Sequence, residues 1–221
     1  MLKKILTADN TETFLNEQVG ESYHSQTGVV EEALKKYAIP CKIAEKAKSG
    51  KVVILDAFFG IGYNSAMAID IALESNPDCE IEVVGLENDP EIVEKIKEMM
   101  PPISFYTHYK NKLTPSVLEF VEGNVRVKIL LGDARETITS LGSDYFDAIF
   151  YDPFSPKTQP DMWTVEIFRE VYRVLKKTGI LATYSCARVV RENMSKANLF
   201  YDDGPIVGRR GPGTIATKWM L

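Results

Sequence analysis

Cysteine is scarce in this 221-residue chain, with three in all. Cys41, Cys79 and Cys186 lie far apart and show neither metal-ligand spacing nor a disulfide framework. A stapled secreted domain is therefore disfavoured and a reducing compartment expected. Positive charge is not in excess either: 26 Lys and Arg stand against 31 Asp and Glu, for a formal net charge of -5. That balance counts against wholesale non-specific binding of nucleic acid, and leaves room only for a local basic patch. No apolar run approaches a membrane span, and no signal-peptide pattern follows Met1, so a cytoplasmic location is expected. Internal repeats, linkers and low-complexity segments are also missing. The length suffices for one well-buried domain and little more.

What is present is an alternation. "KVVILDAFFG" (residues 51–60) is a continuous apolar run ending at an acid and a glycine, as suits a strand buried on both faces. "YNSAMAIDIALES" reads as a helix, "EIEVVGLEND" as a second strand, and "PEIVEKIKEMM" as a helix with proline in its first turn. "NVRVKILLGDA" and "FDAIFYDP" are the third and fourth strands, with the short helix "RETITSL" between them. "TVEIFREVYRVLKKTG" reads as an amphipathic helix closed by basic residues and a glycine cap. "ILATYSC" is a fifth strand, "ARVVRENMSKAN" a helix, and residues 203–221 a closing β-hairpin. Strands alternating with helices predict an α/β fold: a parallel sheet covered on both faces, with an antiparallel hairpin at one side. Before it, residues 1–28 form an N-terminal arm or hairpin that breaks at Gly20, and the main domain runs over 29–221. Within 29–48, two helical pieces are separated at Pro40; residues 100–124 exceed a normal connection and form an insertion.

Ligands of such sheets bind outside the carboxyl ends of the strands. Four acids end up there: Asp56, Glu87, Asp133 and Asp152. In "DAFFGIGYNS", Gly60 and Gly62 let backbone approach a ligand, or serve turn geometry alone. The third glycine of a pyrophosphate cradle is missing, since Tyr63 and Asn64 stand there. That lowers the odds of a nicotinamide or flavin cofactor. Glu87 in "GLENDP" suits both hydroxyls of a ribose, or else the start of a helix. Asp133, followed by Ala134, is placed to accept from an adenine amine and equally to cap the next helix. Together they describe a pocket for an adenosine-like ligand without a pyrophosphate, which S-adenosylmethionine fits.

The segment "YDPFSPKTQP" sets Asp152 at a strand end and stiffens the next residues with three prolines, Pro153, Pro156 and Pro160. A rigid, oxygen-lined frame of this kind can hold an amine and aim its lone pair, and Phe154 can pack on a planar base. The layout resembles the Rossmann-like, seven-stranded class I S-adenosylmethionine-dependent methyltransferases. More narrowly, "YDPFSPKTQPDMWT", "FFGIGYNS" and "GESYHSQTGVVEEA" resemble motifs of the methyltransferase component of the MnmC-type tRNA wobble-uridine enzymes. "VGRRGPGTIATKWML" resembles that family's basic ending loosely, because Arg209 and Arg210 are set apart from the final Met.

The resemblance implies N-methylation of 5-aminomethyl(-2-thio)uridine at the tRNA wobble position. It places Asp152 at the substrate amine, and Asp56, Gly60, Gly62, Glu87, Asp133 and Ala134 about the cofactor. Pro153 and Phe154 would face the base, and Tyr23, His24 and Ser25 would close over the pocket from the arm, His24 being equally readable as a polar turn residue. Arg188, Arg191, Lys196, Arg209 and Arg210 are the candidate phosphate contacts, or simply solvated. Trp163 is read as packing. No metal is expected. The rival readings are an aminopropyltransferase of the polyamine-synthase type, an adenine-N6 or glutamine methyltransferase, and a binding module for an adenosine ligand.

Overall fold

The computed structural model describes every residue except Gln26, Arg209 and Leu221. Eleven strands form two sheets among the described residues. The small sheet belongs to the arm: β1 (Leu2–Leu6), β2 (Glu12–Asn16) and β3 (Glu21–Ser22), all antiparallel. Gly20, at φ +76°, closes the turn between β2 and β3 by donating from its N–H to the Asn16 carbonyl.

The large sheet has β4 (Lys51–Asp56) near its centre. To one side lie β5 (Glu80–Glu87), β7 (Val125–Leu131) and β6 (Glu119–Glu122). To the other lie β8 (Phe146–Tyr151), β9 (Leu175–Thr183), β11 (Thr214–Thr217) and β10 (Phe200–Asp203). The β7, β5, β4, β8 and β9 neighbours are parallel; β6 and the β10–β11 hairpin are antiparallel. Chain order reverses between β4 and β8, so the ligand-binding crevice of such a sheet opens at their carboxyl ends.

The five parallel strands and the hairpin agree with the sequence reading, and two features differ from it. The sheet has eight strands rather than seven, because the insertion contributes β6 as an antiparallel edge. Its helix α5 (Tyr106–Lys112) buries Tyr106 and Tyr109 against the core, and Asp70 accepts from the Ser104 and Phe105 amides that lead into it. The second difference concerns Gly179. The helix over residues 164–179 stops at Val174, and Leu175 already pairs with Phe146 in β9. Gly179 therefore sits inside a strand rather than capping a helix. A Cβ there would lie 2.8 Å from the Phe146 carbonyl oxygen, so the bare backbone fits where a side chain would not.

Helices cover both faces, which divides the core into two apolar layers. On one face are α1 (Val29–Glu32), its continuation as a π-helix (Ala33–Ala38), α2 (Ile43–Ala47) and α3 (Tyr63–Ser75). On the other are α6 (Ala134–Thr137), α7 (Val165–Val174) and α8 (Arg188–Lys196). A short helix, α4 (Pro90–Lys95), comes after β5. Among the described residues no helix is long and apolar enough to cross a membrane.

Candidate active site

A cavity of about 480 Å³ opens at the carboxyl ends of β4, β5 and β8, roofed by the N-terminal arm. Its wall brings together Tyr23, His24, Gly60, Glu87, Asp152, Pro153 and Phe154 from the residues singled out in the sequence. The first two come from the arm, and the others from the ends of the three strands.

Glu87 reaches back across the strand ends. One carboxylate oxygen accepts from the Gly60 amide at 2.7 Å, and the other from the Asn88 and Asp89 amides at 2.8 and 2.9 Å. Burial pushes its carboxyl up to about 7, against the pull of those three donors. Gly60 takes φ +55°, and a Cβ on it would press on the Tyr23 ring at 3.2 Å. The glycine is thus needed for both conformation and close approach.

Asp152 receives a hydrogen bond from the Asn64 amide group at 3.1 Å, from the first turn of α3. Burial, and then the nearby Glu32 carboxylate, push its carboxyl above the usual range; Tyr37, Asn64 and Lys36 act in the other direction. The loop after it is fixed from three sides. Glu21 of the arm accepts from the Ser155 amide at 2.8 Å and from the Ser155 and Thr158 hydroxyls. Trp163 donates from its indole N–H to the Phe154 carbonyl at 2.9 Å, and Tyr184 donates to the Pro153 carbonyl at 3.0 Å. Trp163 is itself buried, which matches its reading as packing. The Tyr23 ring meets Phe154 edge-on, 5.2 Å between centroids.

His24 is buried rather than exposed in a turn. Its Nδ1 lies 3.0 Å from the Thr13 hydroxyl, and burial drives its pKa down to about 4, so the ring is neutral at pH 7.

Other predicted residues stand outside the wall. Asp56 lies fully buried beneath it, with one oxygen accepting from the Ser65 amide and the other without a partner among the described residues. Burial holds its carboxyl well above the usual range. Gly62 does not face the cavity; a Cβ there would strike the Phe59 and Tyr109 rings at 2.6 and 2.8 Å, so its bareness serves packing. Asp133 and Ala134 do not line the cavity. Asp133 caps α6 by accepting from the Arg135 amide, and pairs with the Arg135 side chain. The cap reading of Asp133 thus has a bond, and it does not exclude the adenine reading.

Arg209 lies outside the described residues, and Arg210 is exposed without lining the wall. Arg191 is not a free phosphate contact. It donates to the Thr214 hydroxyl, Asp203 and the Gly213 carbonyl, and so fastens the terminal hairpin to α8.

The sequence reading missed Glu21, Glu32, Lys36, Tyr37, Asn64 and Tyr184. Glu32 and Lys36 form an ion pair one helical turn apart, with side chains only 6% and 4% exposed, while the neighbouring pair Glu31–Lys35 is half exposed. Two charges on the helix face shared with Val29 and Ala33 were the available signal.

The sequence pattern of a family described as S-adenosyl-L-methionine-dependent methyltransferase matches residues 95–219, more than half of the chain. The chain belongs to this family. The methyltransferase is 29% identical over 217 residues to an uncharacterized protein of Methanocaldococcus jannaschii, covering 96% of this chain and 58% of that one. It is 25% identical over 219 residues to the tRNA 5-methylaminomethyl-2-thiouridine biosynthesis bifunctional protein MnmC of Leptospira interrogans, covering 93% of this chain and 34% of that one. The chain thus spans less than two thirds of either relative. The crystal structure of MnmC2 from Aquifex aeolicus superposes with a TM-score of 0.89 at 31% identity, covering 99% of this chain and 70% of that one.

The methyltransferase's cofactor is S-adenosylmethionine, and the cavity suits it. Among the described residues, four carboxylates line the wall (Glu21, Glu32, Glu87 and Asp152) against a single lysine, Lys36. A cationic sulfonium is favoured in such surroundings. Glu87 is a carboxylate in that wall at the end of β5, the strand next to β4.

Proposed function

We propose that the chain N-methylates 5-aminomethyluridine, with or without 2-thiolation, at the wobble position of tRNA in the cytoplasm. The observation that carries this reading is the setting of Asp152: a carboxylate fixed by Asn64 in the cavity wall, followed by a braced proline-rich loop whose Phe154 packs on Tyr23. The likeness to MnmC2 over nearly the whole chain supports it.

S-adenosylmethionine, when bound, supplies a methyl group on a positively charged sulfur. The rest falls to the chain. Glu87 and Gly60 hold the ribose side, and the acidic wall balances the positive charge. Asp152 accepts one proton from the substrate ammonium, which frees the nitrogen lone pair, and its second oxygen fixes the amine's direction. Displacement at carbon depends on alignment, so the bracing of the loop by Glu21, Trp163 and Tyr184 contributes to rate directly. Tyr23 and Phe154 form an aromatic edge against which a pyrimidine can lie. Lys157, exposed on the same loop, and Arg210 are candidates for the adjoining phosphates.

The test is incubation with labelled S-adenosylmethionine and tRNA carrying 5-aminomethyluridine, then nucleoside analysis. The expected product is the 5-methylaminomethyl nucleoside. Label on a polyamine, or on tRNA lacking the aminomethyl group, would replace the proposal with one of its rivals.

A further inference from the structure

Asp152 shares its cavity with an ion pair, Glu32–Lys36, whose opposite charges largely offset each other in the wall. Glu32 and Lys36 both line the wall, both side chains are almost wholly buried, and the Glu32 carboxylate is pinned by the Ser25 amide at 2.7 Å as well as by Lys36. A buried pair of this kind adds little stability over an apolar replacement, so its retention in a cavity wall calls for another account. Around Asp152 the helix contributes Glu32, Lys36 and Tyr37. Asn64 comes from α3, Asp56 from β4, and Tyr184 from just beyond β9. Glu87 and the neutral His24 lie elsewhere on the same wall. Lys36 is the only basic side chain among the described residues lining this wall. Without it, Asp152 and Glu32 would share the wall with no basic side chain lining it among the described residues. A like charge nearby disfavours ionisation of the Asp152 carboxyl.

We propose that Lys36, held in place by Glu32, is a positioning residue that keeps Asp152 in its ionised, proton-accepting form. The pair acts through Asp152, and neither member needs to touch the substrate. Glu32 sets the ammonium's place, and also opposes it by raising Asp152. The two residues therefore have opposite effects on one carboxyl group, and this separates the proposal from a structural role. It rests on Asp152 being the proton acceptor of the reading above.

The experiment tracks the Asp152 side-chain carboxyl by ¹³C NMR against pH in the cofactor-free protein, assigned by its loss in Asp152→Asn. Lys36→Met should raise its midpoint, and Glu32→Gln should lower it by the larger amount, about one pH unit. Lys36→Arg, which keeps the charge, should return the midpoint toward that of the parent. The acid limb of methyl transfer should move in the same sense for each variant. If both variants leave the midpoint in place, or move it in the same direction, the proposal is overturned. The carboxyl titration needs no tRNA, so a wrong substrate would leave it intact and show only in the nucleoside assay. Should Lys36→Met fail to fold, Lys36→Gln, which removes the charge but keeps a polar group beside Glu32, carries the same expected rise, and an unmoved midpoint in it overturns the proposal.

Discussion

At the scale of single residues, the same burial that prepares Asp152 for chemistry works against stability. Its carboxyl titrates above the ordinary range in the folded protein. Below the unfolded value of about 4 both states carry the proton, and the contribution is at its most favourable. As pH rises, the unfolded chain releases its proton first, so stability falls until the folded carboxyl has ionised too. Asp152→Asn removes this loss while keeping the shape. We expect the variant to melt at a higher temperature than the parent at pH 8, with the gap closing as pH falls to about 4, measured by calorimetry of the cofactor-free proteins. Its methyl-transfer rate should drop about 10²- to 10⁴-fold with cofactor affinity largely retained. Parent and variant melting curves that shift identically with pH would show that the carboxyl is not perturbed by folding.

At the scale of elements, the arm and the loop after β8 form one unit. Glu21 holds Ser155 and Thr158 across more than 130 residues of chain, and burial is outweighed by these donors, so its carboxyl titrates below its usual range. Glu21→Ala should release the loop without unfolding the sheet. The expected result is faster amide exchange at Ser155 and a rise in KM for the substrate of about tenfold, the effect of one or two lost hydrogen bonds to a charged group. Unchanged exchange there would mean that the prolines and Trp163 hold the loop alone.

The strands and the loop were legible because each rests on local chemistry: β-branched runs bounded by acid or glycine, and prolines that fix φ. Glu21 was not legible, since its partner is set by how the arm folds over the sheet, and no spacing records that. "LKKTG" misled for a related reason. Lysines before a glycine imitate a helix end, yet Phe146 draws Leu175 into β9, and Gly179 is required by a neighbouring carbonyl rather than by a cap. Asp133 is a case where the same residue suits two local readings that are compatible, and the structure shows the cap.

For the molecule as a whole, charge is divided by function. The net charge is -5, and the cavity wall concentrates carboxylates, so the field there favours a cationic cofactor while repelling phosphate. The tRNA of the proposed function, a polyanion, would then be gripped outside the cavity. Arg191 is committed to the hairpin; the Arg188 side chain, paired with Glu192, is 92% exposed, and Lys157 and Arg210 are exposed as well. Each phosphate neutralised contributes close to one unit to the slope of log affinity against log salt, so a small patch predicts a shallow slope of about -2 to -4. Filter binding of a tRNA anticodon stem-loop between low and physiological salt measures this slope. Lys157→Glu and Arg210→Glu should each reduce its magnitude by about one while leaving cofactor affinity unchanged. A slope as steep as that of a large basic interface would mean that the grip lies on a surface other than the one beside this cavity.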